Sequence, residues 1–481
     1  MDNLLPRAVV PTRLALISRA GHTVGYNPNL NVWHRVDDDV AEVLRWLRAG
    51  RDRASLAAHL GRRFQRDPAD AEERLGQIVR WAVLRRLLFL DAEPEVQVPH
   101  GVPTRLATVY WICTQACNLR CVYCYQEATV PRPHELSTQE GLDLVDQAVE
   151  VGASTFVFTG GEPFSRRDVL EIARYSRSRG LRTNVITNGH YITPRRIDDV
   201  AEIFHRVTVS LDHGVPEHHD HSRGQGSWRK AAAAVDLLLD AGVPVDVNSV
   251  LTRPGLDDAK QLLDFVRSRK IGQHRIVPQY PMGRGAESRD DELAPEQLLD
   301  FEDELHRISE ELDAGATGRR HACEETKGSL RTHCGAGLSE LSVDPEGWVY
   351  PCKLLQYGQN RLGNVRERRL AEIFTTDPGL AGIQRAFTET LQPCSTCIIR
   401  RHCGGGCRGI HASFTGDWAT AEPLFCAQLR RTFELEAFST TGSLPARQNP
   451  SSFVQADGRT VTVTSDPGDT AFIPLAQVVR R

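Results

Sequence analysis

Two periodicities divide this chain. In the first ninety residues short apolar runs give way to helical spacing. LALIS (14–18), HTVGY (22–26) and VWHRV (32–36) read as strands. Val40, Val43, Leu44 and Leu47 then recur at i, i+3, i+4 and i+7 and mark one apolar helix face. A second helix is expected over 55–64, and a third carries Leu75, Ile78, Val79 and Ala82 at the same spacing. A short sheet with three helices is a winged-helix-like α+β plan. Residues 91–104, DAEPEVQVPHGVPT, hold three prolines and little periodicity and read as a linker.

From Leu106 strands alternate with helical stretches: ATVYWIC, TFVFTG, NVITNG, VTVSLD, VDVNSV and HRIVPQ. These make about six βα units over 105–310, an α/β plan with a parallel sheet and a partial (β/α)6 barrel. Ser137 with Glu140 forms a capping box that starts one of the helices. Functional side chains of such a barrel belong at the C-terminal ends of its strands, where Thr187, Asn188, Ser210, Asp212 and Asn248 fall. After PMGRG and a charged helical stretch comes a cysteine-rich segment, 311–435. The tail, 436–481, contains the alternating run RTVTVTSD, which reads as a hairpin or a partly disordered end.

Composition adds bounds. With 481 residues the chain exceeds one ordinary core, and 40% apolar with 25% charged residues is enough to fill several. A net charge of −4 gives no attraction to nucleic acid or membrane. No apolar run reaches a membrane span and the N-terminus lacks a signal pattern, so a cytoplasmic location is expected. The twelve cysteines are clustered: none before Cys113, four to Cys124, and eight between Cys323 and Cys426. In a reducing compartment that clustering argues for metal rather than disulfides.

The first cluster lies in WICTQACNLRCVYCY, where Cys117, Cys121 and Cys124 stand as CxxxCxxC. Thiolates select zinc, copper(I) or iron–sulfur clusters, and three of them leave one position open. Either a zinc ion takes a fourth ligand such as Cys113, or a four-iron cluster keeps one iron free. TFVFT ends in Gly160, Gly161, Glu162 and Pro163, a turn where another backbone or a ligand can come close. Downstream, Cys394, Cys397, Cys403 and Cys407 have gaps of two, five and three, preceded by Cys323, Cys334 and Cys352 and followed by Cys426. Eight thiolates suffice for two zinc ions or two four-iron clusters. The histidines from His205 to His221, His213 apart, read as a solvated loop.

CNLRCVYCY followed by GGEP resembles the radical S-adenosylmethionine (SAM) superfamily, and the later cysteine spacing resembles its SPASM extension in peptide and protein maturases. NVWHRVDDDVAEVLRWL with the two helices after it resembles the PqqD-like recognition element, which captures a leader peptide by strand addition. The resemblance implies a [4Fe–4S] cluster on Cys117, Cys121 and Cys124 that binds SAM and cleaves it reductively, giving a 5′-deoxyadenosyl radical. Tyr123 would lie beside the adenine. Gly160, Gly161 and Glu162 would meet the methionine amino group, and Ser210 and Arg223 the carboxylate or ribose, with Thr187, Asn188 and Asn248 at neighbouring strand ends. Cys334, Cys352 and Cys407, completed by Cys323, would hold one auxiliary [4Fe–4S] cluster, and Cys394, Cys397, Cys403 and Cys426 a second. Cys113 is left as a buried thiol.

The implied function is carbon–carbon or thioether crosslinking of a ribosomal precursor peptide, with a flavodoxin- or ferredoxin-type electron donor. An anaerobic sulfatase maturase is a rival, but that family carries an aspartate where this chain has Lys353. A redox-responsive winged-helix regulator is another, and leaves GGEP and the six βα units unexplained.

Overall fold

The computed structural model describes residues 4–19, 21–96, 106–288, 292–314, 330–438, 452–454 and 460–462. Most of the linker and Cys323 lie outside the described residues.

The N-terminal part opens with β1 (Ala8–Val9), β2 (Ala15–Arg19), β3 (His22–Asn27) and β4 (Val32–Val36), followed by α1 (Asp38–Arg48), α2 (Leu56–Phe64), α3 (Pro68–Leu84) and β5 (Phe89–Leu90). β2, β3 and β4 form an antiparallel meander. One sheet face and the apolar faces of the helices share a core of Leu16, Val43, Leu44, Leu75, Ile78 and Val79. Each principal helix start is fixed by an acid: Asp37 Oδ1 accepts from Val40 N at 2.8 Å, and Asp67 caps α3 ahead of Pro68. Asp39 is buried and takes hydrogen bonds from Arg66 at 2.8 Å and Arg74 at 2.9 Å, which consumes two of the cations a phosphate-binding face would need.

The six expected strands form, each within two residues of its expected start: β6 (Thr108–Ile112), β7 (Thr155–Thr159), β8 (Arg182–Thr187), β9 (Arg206–Ser210), β10 (Val245–Leu251) and β11 (Gln273–Pro278). They pair in parallel in that order. The sheet does not stop there. β12 (Glu340–Val343), from the cysteine-rich segment, pairs in parallel with β6, and β13 (Trp348–Tyr350) and β14 (Gly363–Asn364) continue it antiparallel to nine strands. The cysteine-rich segment thus completes the core sheet instead of forming a separate layer.

Alternation along these strands sorts the two faces. Trp111, Phe156, Phe158, Val185, Val207, Val209, Val247 and Leu341 join the main hydrophobic core with the helices. Tyr110, Asn184, Thr208, Ser210 and Asn248 have the opposite parity and line the concave face. The capping box forms, with Ser137 N donating to Glu140 Oε2 at 2.8 Å, and starts the helix Thr138–Glu150. In the tail, β15 (Ser452–Val454) and β16 (Thr460–Thr462) pair antiparallel, the first of the two readings, and β15 adds antiparallel to β2. Among the described residues no helix is long and apolar enough to cross a membrane.

Candidate functional site

The CxxxCxxC loop leaves β6 at the C-terminal edge of the parallel sheet and is tied down at several points. Gly161 N donates to Thr114 O and Glu162 N to Ala116 O, both at 2.8 Å, so the GGEP turn after β7 runs directly against the loop's first residues. Only glycine permits that approach. A Cβ on Gly160 would lie 2.6 Å from Thr114 O, and Gly160 has φ +145°; a Cβ on Gly161 would lie 2.2 Å from Ala116 O. On the other side, Cys117 N donates to Thr129 O, and Arg284 spans the loop, donating from Nε to Cys121 O at 3.0 Å and from Nη1 to Ala128 O at 3.3 Å. Arg284 is the arginine of PMGRG, whose role the sequence did not disclose. Its neighbour Gly283, with φ +53°, would place a Cβ 2.5 Å from Cys124 O.

Cys117, Cys121 and Cys124 are close enough to feel one another's charge. Burial raises the Cys117 thiol and pushes that of Cys121 up to about 11. Unmetallated, such thiols stay protonated; a metal centre holds them as thiolates. Cys113 sits apart, fully buried in the main core, its thiol pushed up by burial.

The side chains expected around the cofactor fall into two connected groups. Glu162 is fully buried and accepts from Thr187 Oγ1 at 2.8 Å, Asn188 N at 2.8 Å and Phe164 N at 3.2 Å. Burial pushes its carboxyl up to about 7 despite those donors. Asn188 Nδ2 in turn donates to Asn118 Oδ1 within the cysteine loop, at 2.9 Å. The second group centres on Asp212, which sequence reasoning placed at a strand end but gave no partner. Arg223 donates to it through Nε at 2.7 Å and Nη2 at 2.9 Å, Tyr123 donates its hydroxyl, and Val250 N adds a bond at 2.9 Å. Burial opposes the Asp212 charge, but Arg223 outweighs it and holds the carboxyl well below the usual range. The Arg223 fork is therefore engaged by the protein, and its guanidinium lies 5.5 Å from the centre of the Tyr123 ring.

Two expectations need correction. Asn248 is not at the end of its strand; it lies mid-β10, level with Ser210 at the end of β9. The histidine run is not a solvated loop. Residues Pro216–Arg223 are helical, and His213 and His219 are fully buried. His219 Nδ1 accepts from Asp212 N at 3.1 Å and Nε2 of His213 meets Thr252 Oγ1 at 3.1 Å. Burial lowers His219 to about 4, so it works as a neutral acceptor beneath Asp212.

The downstream cysteines gather into two sets. Cys394, Cys397, Cys403 and Cys426 line one cavity with Pro393 and Gly405. Cys334, Cys352 and Cys407 form the other, each thiol raised by burial and Cys352 feeling both partners. Three successive glycines, Gly404, Gly405 and Gly406, all have positive φ (67°, 84° and 71°), and turn the chain so that Cys403 joins one set and Cys407 the other. Among the described residues no group of three or more His, Cys, Asp or Glu has the arrangement a single metal ion requires. A sulfur-only donor set suits iron–sulfur clusters; in the first set Cys352 is buried while Cys334 keeps an exposed edge. Lys353, next to Cys352, faces the concave side with Nζ 4.2 Å from the Tyr110 ring centre.

Comparison with known proteins fits this geometry. The radical SAM superfamily profile matches residues 111–266, and the SPASM profile, an iron–sulfur cluster-binding domain, matches 334–398. The AdoMet-dependent heme synthase of Methanosarcina barkeri (strain Fusaro / DSM 804) is 30% identical over 338 residues, covering 66% of this chain and 95% of that protein. Mycofactocin maturase MftC of Mycolicibacterium smegmatis is 31% identical over 322 residues, covering 64% and 79%. The structure of Streptococcus suis SuiB bound to precursor peptide SuiA superposes with a TM-score of 0.53 at 14% identity, covering 87% of this chain and 99% of that one. The cysteine loop against its glycine turn, the parallel sheet and these matches place the chain in the radical SAM superfamily, with a SPASM iron–sulfur extension.

Proposed function

We propose that this chain is a radical SAM maturase of a ribosomally made peptide, and that it forms a carbon–carbon or thioether crosslink. The carrying observation is the three-thiol loop clamped at the C-terminal mouth of the parallel sheet, with two further thiol sets beside it. In this reading Cys117, Cys121 and Cys124 would hold a [4Fe–4S] cluster that binds SAM. Tyr123, Gly160, Gly161, Glu162, Thr187, Asn188, Ser210, Arg223 and Asn248 make the surrounding wall. Cys334, Cys352 and Cys407, with Cys323, hold one auxiliary cluster; Cys394, Cys397, Cys403 and Cys426 hold the other. When bound, the loop cluster and SAM supply one-electron reduction and a hydrogen-abstracting radical.

This chain's residues do the rest. The Glu162–Thr187–Asn188–Asn118 network holds the loop's register, and the Asp212–Arg223 pair fixes Tyr123 at its edge. Arg223 keeps Nη1 as the nitrogen not engaged by Asp212. Lys353 puts a cation, not a carboxylate base, beside the first auxiliary set, which disfavours formylglycine formation. For the leader peptide we assign the PqqD-like unit at β4, the terminal strand of its sheet, and the adjoining α3, which meet where His34 and Trp81 stack edge to face at 5.8 Å. A flavodoxin- or ferredoxin-type protein would deliver electrons.

The test is anaerobic reconstitution with iron and sulfide, then SAM and dithionite. The wild type should bind about twelve irons per chain and release 5′-deoxyadenosine. Cys117→Ala should stop that release while keeping about eight irons in the auxiliary sets; continued turnover in this variant refutes the loop assignment. Co-expression with a candidate precursor peptide, sought as a short open reading frame next to the gene, should give a peptide lighter by one pair of hydrogens. A second reading, tetrapyrrole chemistry, is favoured by the identity to the heme synthase. Supplying an iron porphyrin in place of the peptide separates the two.

A further inference from the structure

One buried cation in the cysteine-rich segment has no counter-charge in the protein beside it. Arg408 opens the helix Arg408–Thr415 directly after Cys407 and is 1% exposed. Its Nη1 and Nη2 are closed off from solvent and meet no oxygen or nitrogen acceptor; the side-chain partner its guanidinium has is the Cys394 thiol. Among the described residues it forms no ion pair; Asp417, whose carboxyl senses the charge, is itself at the surface. A guanidinium left so is strongly unfavourable, and the fold must place negative charge against it.

The thiol sets are what lies around it. The charge of Arg408 reaches Cys334 in one set and Cys394 and Cys426 in the other. The side chain has its place because position 405 is glycine: a Cβ there would lie 2.2 Å from Nη2. The run CGGGCR therefore does two things at once, dividing Cys403 from Cys407 and seating a guanidinium between the sets they belong to.

We propose that Arg408 is a shared electrostatic tuner of the two auxiliary clusters, a fixed positive charge that favours the reduced form of both. The inference rests on the reading that both sets hold iron–sulfur clusters. Reduction adds one negative charge to a cluster, and a nearby cation stabilises that form, raising the potential. Arginine suits the role because it keeps its proton at all working pH values. Sharing has a second effect: once one cluster is reduced, less of the Arg408 field remains uncompensated for the other, so the two reductions are coupled.

The experiment is an EPR-monitored redox titration of the full-length reconstituted protein as wild type, Arg408→Gln and Arg408→Lys, with iron and sulfide counted first. In Arg408→Gln the reduction equilibrium of both auxiliary clusters should fall at least tenfold, which is 59 mV for a one-electron couple, and the loop cluster should not move. Arg408→Lys should recover most of the shift. Iron-replete Arg408→Gln with unchanged auxiliary potentials overturns the proposal, as does Arg408→Lys shifting as far as Arg408→Gln. Failure of both variants to load iron also counts against it, since lysine keeps the charge. Wild-type protein that takes up no auxiliary iron refutes the cluster reading instead.

Discussion

Replacing Gly161 by alanine tests the central contact of the site. The new Cβ would lie 2.2 Å from Ala116 O, 2.8 Å from Ala116 C and 3.0 Å from Gln115 O, all backbone atoms with no flexible end to swing away. Relief requires the turn and the cysteine loop to part by about 1 Å, where an ordinary contact needs roughly 3.4 Å between such atoms. Parting them stretches Gly161 N to Thr114 O and Glu162 N to Ala116 O. Two hydrogen bonds at about 1 kcal/mol each and overpacking of about 1–3 kcal/mol total roughly 3–5 kcal/mol, concentrated on one loop. The assay is 5′-deoxyadenosine release by reconstituted protein, with iron counted in parallel. A displacement of this size should cost about a hundredfold in rate, with the auxiliary iron retained. Gly358→Ala, where a Cβ meets nothing within 4 Å, is the control and should be neutral. Gly161→Ala with loop iron and SAM cleavage within twofold of wild type would refute the reasoning.

Three further outcomes follow from the same structure. Glu162, raised from 4.5 to about 7 by burial, binds its proton more tightly in the folded state; the stability it contributes is full below pH 4.5 and lost as pH rises through 7, about 3 kcal/mol in all. Thermal midpoints followed from pH 5 to 8 should therefore fall less steeply in Glu162→Gln, and identical slopes would contradict the assignment. Arg223→Met leaves the fully buried Asp212 without its fork and should cost about 3–5 kcal/mol, whereas pairing it with Asp212→Asn should restore part of the loss; additive losses in thermal unfolding would argue against a coupled pair. Phe433→Ala removes a fully buried ring standing 4.7 Å from Tyr26 and 5.6 Å from Trp33. It should cost about 3–5 kcal/mol and lower the thermal unfolding midpoint, with an unchanged midpoint the negative result.

The sequence disclosed what local pattern can encode. Strand alternation located β6 to β11 because each strand buries one face against helices. Cysteine clustering marked the metal-binding segments, but the division of the downstream thiols into two sets came from the family resemblance, since Cys403 and Cys407 stand close in sequence and belong to different sets. Contacts between distant segments were hidden. β12 joins β6 across more than two hundred residues, and Arg284 reaches back to Cys121 from 163 positions away. Composition misled at His219, which is buried because it serves Asp212, a partner no count of polar residues reveals. Arg408 looked like any basic residue beside a cysteine until its burial was known.

The N-terminal sheet has two apolar faces, one against its own helices and the other against the cysteine-rich segment, where Ile17, Val24, Tyr26 and Trp33 pack with Ile399, Phe433 and Phe438. Arg13 Nη1 donates to Ser395 O at 3.1 Å across the same boundary, and the Tyr26 hydroxyl senses Cys397 and Cys403. The unit is therefore not portable. A unit grafted in its place would have to bring matching apolar residues on β2, β3 and β4, or it would leave the Cys394, Cys397, Cys403 and Cys426 cavity open to water and oxygen. Altering the outer surface of this unit calls for resurfacing it in place rather than exchanging it.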